Sequence, residues 1–233
     1  MSMVFKSASK DAIFFDYGGT LDAPGIAWKE RFFSIYKKYG VNIDKQTFTK
    51  AFYRSDDSLV AENPVDLNLT QIVHEQVARV FKSLGIADMA LKEKIANEFL
   101  VKSFDNIKKN LPVLRKLKKD FRLGIISNNY GNLQAICNET GLSSSMDILI
   151  DSNLVGSEKP HPEIFEKGLK ALKVSPDRAV MVGDNVKRDI YGALQMGMKA
   201  ILISNGDIPS DIPIPDVPII KNIEQLIQIM GEI

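Results

Sequence analysis

The sequence predicts an α/β fold in three layers, a parallel sheet between two sets of helices, with four further helices inserted after the first strand. Three observations predict it. Six short runs are apolar almost throughout and rich in β-branched and aromatic residues, as strands buried on both faces require. From residue 110 onward these runs alternate with helical patterns, the signature of right-handed βαβ units. Between the first and second runs, residues 26 to 104 hold four amphipathic patterns and no strand.

The first strand is expected at Ala12–Phe15. Trp28, Phe32, Ile35, Tyr36 and Tyr39 then share one helical stripe. Phe48–Glu62 reads as a second helix, and Leu69, Val73, Val77, Val80 and Leu84 mark a third. Ala90–Phe104 is the fourth. Asp44 and Asp88 are placed to cap helix N-termini, and Gly40 and Gly85 to stop the helices before them. Four apolar faces so close in sequence find their simplest cover in one another. Residues 23–105 are therefore expected as a helical domain inserted into a core of residues 1–22 and 106–233. Its hinges are expected at Asp22–Gly25 and Asn106–Asn110.

Beyond the second hinge the order is regular. A helix at Leu111–Lys119 leads to a strand at Leu123–Ile126 and a helix at Asn132–Thr140. Strands follow at Ile148–Ile150 and Ala179–Val182, with a helix at Pro162–Leu172 between them. A helix at Val186–Met196 precedes strands at Ala200–Ile203 and Pro218–Ile220, and Ile223–Met230 is the last helix. Asp207–Pro218, with four prolines, is expected to be an irregular loop.

Composition narrows the function. Hydrophobic residues are 45% of 233, enough for a sizeable core. Thirty basic against twenty-nine acidic residues give a net charge of +1, so no global field draws nucleic acid or an anionic membrane. The one cysteine, Cys137, excludes an internal disulfide or a cysteine zinc cluster. It shares a helix side with Leu133 and Ile136, where a buried, inert thiol is expected. No apolar stretch has signal-peptide length, and none approaches the ~20 residues of a membrane helix. A cytoplasmic location is the expectation.

Catalytic groups in parallel sheets gather at the carboxyl ends of the strands. Four polar clusters stand there: Asp16–Leu21, Ser127–Asn129, Gly156–Pro160, and Gly183–Asn185 with Asp189 one turn on. Each has a use around phosphate. A carboxylate on a strand tip can be a nucleophile, and Gly18 and Gly19 beside it let backbone N–H groups approach an anion. A hydroxyl and N–H groups at a helix start can hold phosphoryl oxygens, and a lysine neutralises their charge. Oxygen ligands near the nucleophile suit Mg²⁺. Singly, each cluster reads as a turn, a cap or a solvated lysine; their order at consecutive strand ends gives them weight.

Those four motifs resemble the haloacid dehalogenase superfamily of hydrolases, mostly phosphatases. FFDYGGTLD is similar to its nucleophile motif, IISNN to its serine/threonine motif, EKPHPEIF to its lysine motif and MVGDNVKRDIYGA to its acidic motif. The resemblance implies a Rossmann-like core with a helical cap inserted after the first motif. It implies a phosphatase with Asp16 and Lys159 catalytic and Gly19, Thr20, Ser127, Asn128 and Lys159 holding phosphate. It also implies Mg²⁺ on Asp16, the Gly18 carbonyl and Asp184, with Asp189 in support. The expected partner is a small phosphorylated substrate, without nucleic acid or membrane; monomer and homodimer are both open.

One position departs from the family pattern. Its phosphatases carry a second aspartate two residues after the nucleophile, as general acid and base, where this chain has Gly18. Such catalysis is typically worth ~10²–10⁴-fold. Asp22, His74 or a carboxylate from the insertion could replace it, a good leaving group such as an acyl phosphate could make it dispensable, or the chain could bind phospho-ligands with weak turnover. Metal-independent dehalogenases of the superfamily also lack that aspartate, but Asp184 has no use in a metal-free site and would repel Asp16. Substrate contacts would come from the insertion, where Trp28, Phe32, Tyr53 and Arg54 read equally as core or surface.

Overall fold

Six apolar runs become six strands. In the computed structural model, which describes residues 11–206, 213 and 215–230, β1 is Ala12–Phe15, β2 Arg122–Ser127 and β3 Ile148–Asp151. β4 is Ala179–Gly183, β5 Lys199–Ile203 and β6 Ile219–Ile220. They form one sheet in the order β3-β2-β1-β4-β5-β6, with every neighbouring pair parallel. β1 and β4 lie side by side, so the nucleophile and acidic motifs leave the sheet at the same edge.

The helices are α1 Trp28–Lys38, α2 Lys45–Glu62, α3 Leu69–Leu84, α4 Met89–Leu117, α5 Leu133–Thr140, α6 Ser152–Val155, α7 Pro162–Leu172, α8 Gly192–Gln195 and α9 Leu226–Ile229. Strand side chains alternate between two cores. Ile13, Phe15, Ile125 and Val182 pack with α5 and the end of α4. Ala12, Phe14, Ile126 and Met181 pack with Ile164 and Phe165 of α7 and with Ile190. That is a three-layer α/β/α arrangement, as predicted. No helix among the described residues is long and apolar enough to cross a membrane.

Helices α1–α4 occupy the interval between β1 and β2. Phe32 and Phe99 stack with ring centroids 3.9 Å apart, and Phe48 meets Tyr36 at 5.1 Å. Each such buried ring contributes about 1.5–3 kcal/mol relative to exposure. Their apolar cluster is continuous with Ile13 and Phe15 on the sheet. Asp44 and Asp88 cap α2 and α4 as expected, each accepting a 2.9 Å hydrogen bond from the backbone N–H of Thr47 or Leu91.

Two expectations change, and a third falls mostly on residues that are not described. No hinge loop exists at Asn106–Asn110, because α4 runs unbroken through it, and the expected helices at Ala90–Phe104 and Leu111–Lys119 are one. Ile107, Asn110 and Leu114 stay buried on one face, so the helical stripe never breaks. Pro112 removes the donor to the Lys108 carbonyl, but Lys108 is exposed and water can take its place. Second, Val186–Met196 is not one α-helix: a π-helical turn over Val186–Tyr191 precedes α8. Third, most of the expected Asp207–Pro218 loop lies outside the described residues.

A buried ion pair ties the insertion to the loop after β1. Asp22 accepts from Arg31 Nη1 at 2.6 Å, Trp28 Nε1 at 2.7 Å and the Gly19 N–H at 2.8 Å. Arg31 also donates to Ser103 Oγ at 2.7 Å and lies over the Phe99 ring. Removing one partner of such a pair strands the other charge. Arg31→Met is therefore expected to cost about 3–5 kcal/mol of stability, measured by denaturant unfolding.

Candidate active site

The parallel register brings three strand ends and one loop to a single cavity. β1 delivers Asp16, β2 delivers Ser127, and β4 ends at Gly183 before Asp184. Lys159 arrives from the loop between α6 and α7. Ser127 Oγ donates to Asp16 Oδ1 at 2.9 Å, and Lys159 Nζ donates to the same oxygen at 2.8 Å. Lys159 also pairs with Asp189 Oδ1 at 2.6 Å. The cavity is about 450 Å³, within the roughly 300–1,000 Å³ of small-molecule sites.

Several polar groups set the positions of others; Asn128 does so from the cavity wall. The two polar atoms of the Asn128 side chain close a ring on the Lys159 backbone, with bonds of 3.0 and 2.8 Å, which fixes the lysine's loop. Asp151 accepts from the backbone N–H groups of Gly131 and Leu133, each at 3.0 Å, and so shapes the turn after β2. Gly19 and Thr20 were expected to hold phosphate; in this structure their donors serve other partners. The Gly19 N–H is spent on Asp22, and Thr20 Oγ1 donates to Asp184 Oδ1 at 3.1 Å; neither lines the cavity. Glycine is needed at 19: its φ is +92°, and a Cβ would lie 2.5 Å from Asp184 Oδ2.

Asp16, Asp184 and Asp189 each offer an oxygen within 4.8 Å of the others. One ammonium faces these three carboxylates, and the cluster resists its own charge. Burial, then repulsion from Asp16 and Asp189, holds the Asp184 carboxyl well above the usual range. Burial raises Asp189 to about 6 against the pull of Lys159. For Lys159, burial works against the charge, but Asp16 and Asp189 outweigh it and raise the ammonium. An all-oxygen donor set with surplus negative charge fits a hard divalent cation.

A stability prediction follows. Asp184 unfolds to an ordinary carboxyl near 3.8, so the folded, cation-free protein binds the extra proton and loses stability as pH rises above that value. In chelator at pH 7, Asp184→Asn is expected to melt higher than wild type, by about 2–4 °C per kcal/mol relieved. The gap should narrow toward pH 4, and a divalent cation should stabilise wild type more than the variant.

Space beside Gly18 is taken by Trp28. A Cβ at Gly18 would lie 3.3 Å from Trp28 Nε1, and that indole is held by Asp22 and packed on Phe99 with centroids 5.0 Å apart. An aspartate at 18 would have to displace it. Of the expected replacements for that aspartate, the two named residues are engaged elsewhere. Asp22 is fully buried in its ion pair. His74 pairs with Glu93 at 3.4 Å and does not line the cavity. Trp28 and Tyr53 do line it, Phe32 is core, and Arg54 is exposed and does not line it. The sequence reading missed Asp56, Tyr130 and Arg188, which also line the cavity.

A family model described as haloacid dehalogenase-like hydrolase matches residues 10–197. The chain belongs to that family, and is a hydrolase. Among curated haloacid dehalogenase-like relatives, glyceraldehyde 3-phosphate phosphatase of Pyrococcus furiosus is 38% identical over 96 residues, 40% of each chain. The match therefore spans less than half of that relative. A phosphatase of the family from Thermococcus onnurineus superposes with a TM-score of 0.55 at 26% identity, over 95% of this chain and 98% of that one. A 2-haloacid dehalogenase from Pseudomonas syringae gives the same TM-score at 22% identity, over 96% and 99%. The family fold thus accommodates both chemistries, and the site residues must separate them.

Proposed function

We propose that this hydrolase is a Mg²⁺-dependent phosphatase of a small phosphorylated metabolite, working through an aspartyl phosphate on Asp16. The observation that carries the reading is Asp184, a half-buried carboxylate beside the buried Asp16 and Asp189 with one lysine among the three. A dehalogenase that needs no metal gains nothing from it and bears its repulsion. The name of the Pyrococcus relative supports a small phosphate ester as the substrate class.

In this mechanism Asp16 attacks phosphorus. Ser127 and Lys159, already donors to Asp16 Oδ1, turn to the phosphoryl oxygens as their charge builds. The Asn128 clamp keeps the lysine in register, and Asp189 holds its ammonium as a second carboxylate partner. Asp16, the Gly18 carbonyl and Asp184 would hold Mg²⁺, with Asp189 in support. When bound, the ion neutralises phosphoryl charge as a Lewis acid. Residues 23–105 act as a cap whose Trp28 and Tyr53 help exclude water.

The test is phosphate release from a panel of alkyl, aryl and acyl phosphates, with Mg²⁺ or with chelator, beside halide release from 2-chloropropionate. Mg²⁺-dependent phosphate release without halide release is expected. Halide release that survives chelation would sink the reading.

A further inference from the structure

Gly18 leaves the leaving group without a proton donor on the nucleophile loop, and Trp28 fills the space such a donor would occupy. A replacement must line the same cavity as Asp16, stand outside the carboxylate cluster and be held in place. Two carboxylates line the cavity from the insertion, Glu30 and Asp56. Glu30 is drawn outward by Lys45 at 3.0 Å and Lys29 at 3.6 Å. Asp56 is different. Its Oδ1 accepts from Tyr130 Oη at 2.6 Å and Gln76 Nε2 at 3.0 Å, while no hydrogen bond among the described residues reaches Oδ2.

We propose that Asp56, on α2 of the insertion, is the general acid and base of the phosphatase reaction in place of a side chain at position 18. The inference rests on the phosphatase reading. As Asp16 bonds to phosphorus, the P–O bond to the ester oxygen breaks, its electron pair stays on that oxygen, and the Asp56 carboxylic acid supplies the proton. The resulting carboxylate then takes a proton from water whose oxygen attacks phosphorus. The bond between phosphorus and the Asp16 oxygen breaks, free phosphate leaves, and Asp16 and protonated Asp56 are restored. Tyr130 and Gln76 position the group by binding one oxygen and leaving the other for exchange.

The electrostatic setting agrees with the geometry. Burial raises the Asp56 carboxyl to about 6, against the hydrogen bonds from Tyr130 and Gln76. Asp57 on the same helix raises it further, and Arg188, which lines the same cavity, lowers it. Lys29, Glu30 and Tyr53 complete the charged and titratable lining on this side. A carboxyl in this range is an acid below pH 6 and a base above it. Because the donor rides on the insertion, the acid and the nucleophile come from different segments of the fold.

The experiment compares Asp56→Asn with wild type on an alkyl phosphate and on p-nitrophenyl phosphate, whose leaving group needs little help. The variant is expected to lose about 10²–10⁴-fold in kcat/KM on the alkyl ester and under about tenfold on the aryl ester. It should also accumulate phosphorylated Asp16. Equal losses on both esters, or none, would overturn the proposal. Tyr130→Phe gives a second reading that does not depend on the first variant's folding. It removes a hydrogen bond that lowers the Asp56 carboxyl, so the fall in alkyl kcat/KM with rising pH should move to higher pH. An unmoved limb would overturn the assignment. If wild type itself releases phosphate from neither ester, the phosphatase reading has failed; if it does and Asp56→Asn matches it, only the Asp56 assignment has failed.

Discussion

Asp16→Asn is expected to lower phosphate-ester turnover by about 10⁴–10⁶-fold, the scale seen when a covalent nucleophile is removed. The amide is nearly isosteric, and its carbonyl oxygen can still accept from Ser127 and Lys159, which donate to Oδ1 in the native site. What it lacks is a charged oxygen able to bond to phosphorus. Folding should not suffer in parallel. Asp16 is one source of the repulsion that raises Asp184, and its neutralisation relieves that carboxyl while Lys159 keeps Asp189 as its partner. Loss of turnover with undiminished thermal stability is thus the expected signature, read by steady-state assay and melting of the same preparation.

Lys159→Met is expected to damage both properties. The ammonium is 2% exposed and pairs with Asp16 and with Asp189, itself 1% exposed. Methionine matches the length but leaves the carboxylates without a cation. Breaking such a pair costs about 3–5 kcal/mol. The loss should be greater at pH 8 than at pH 5. Asp189 already titrates near 6, and without the lysine its carboxyl rises further, so the folded state holds a proton that the unfolded state has released. Turnover should fall by about 10²–10³-fold, since a charged donor to the transition state is gone. Denaturant unfolding at the two pH values, with kcat measured at each, checks both parts.

Much of the fold was legible because β1, β2 and β4 are buried on both faces and had to be apolar at nearly every position. Strand ends moved by a residue or so. The α4 error has a physical cause. Residues 105–110 are mostly polar and precede Pro112, which in one dimension reads as a break. In the fold, Asn106 and Asn110 both donate to the Leu21 carbonyl, at 3.0 and 2.9 Å, so polar residues serve a continuous helix that crosses from insertion to sheet.

The site was legible in part for a similar reason. Asp16, Ser127, Asp184 and Asp189 all sit at strand ends or one turn beyond, where the topology forces convergence, and Lys159 was legible from its motif in the loop between α6 and α7. Gly19 and Thr20 share that address, but their donors are consumed by Asp22 and Asp184, partners no spacing rule reveals. Asp56 is the opposite case. In the run Asp56-Asp57-Ser58 it looks like a solvated helix face, and only folding sets Tyr130 and Gln76 against it. Trp28 could be read as core from its stripe, but not as the residue that occupies the space beside Gly18. Cys137 kept to expectation: it is buried, and burial pushes its thiol up to about 12.

The central claim, covalent catalysis at phosphorus by Asp16, is tested most directly by turnover in ¹⁸O-water with rapid quenching and peptide mass mapping. The account predicts a phosphoryl group on the peptide carrying Asp16 only when Mg²⁺ is present, with the solvent oxygen appearing in released phosphate. Solvent oxygen in the Asp16 carboxylate would contradict it, because water would then have attacked the carbonyl of a carbon ester, as in displacement of halide.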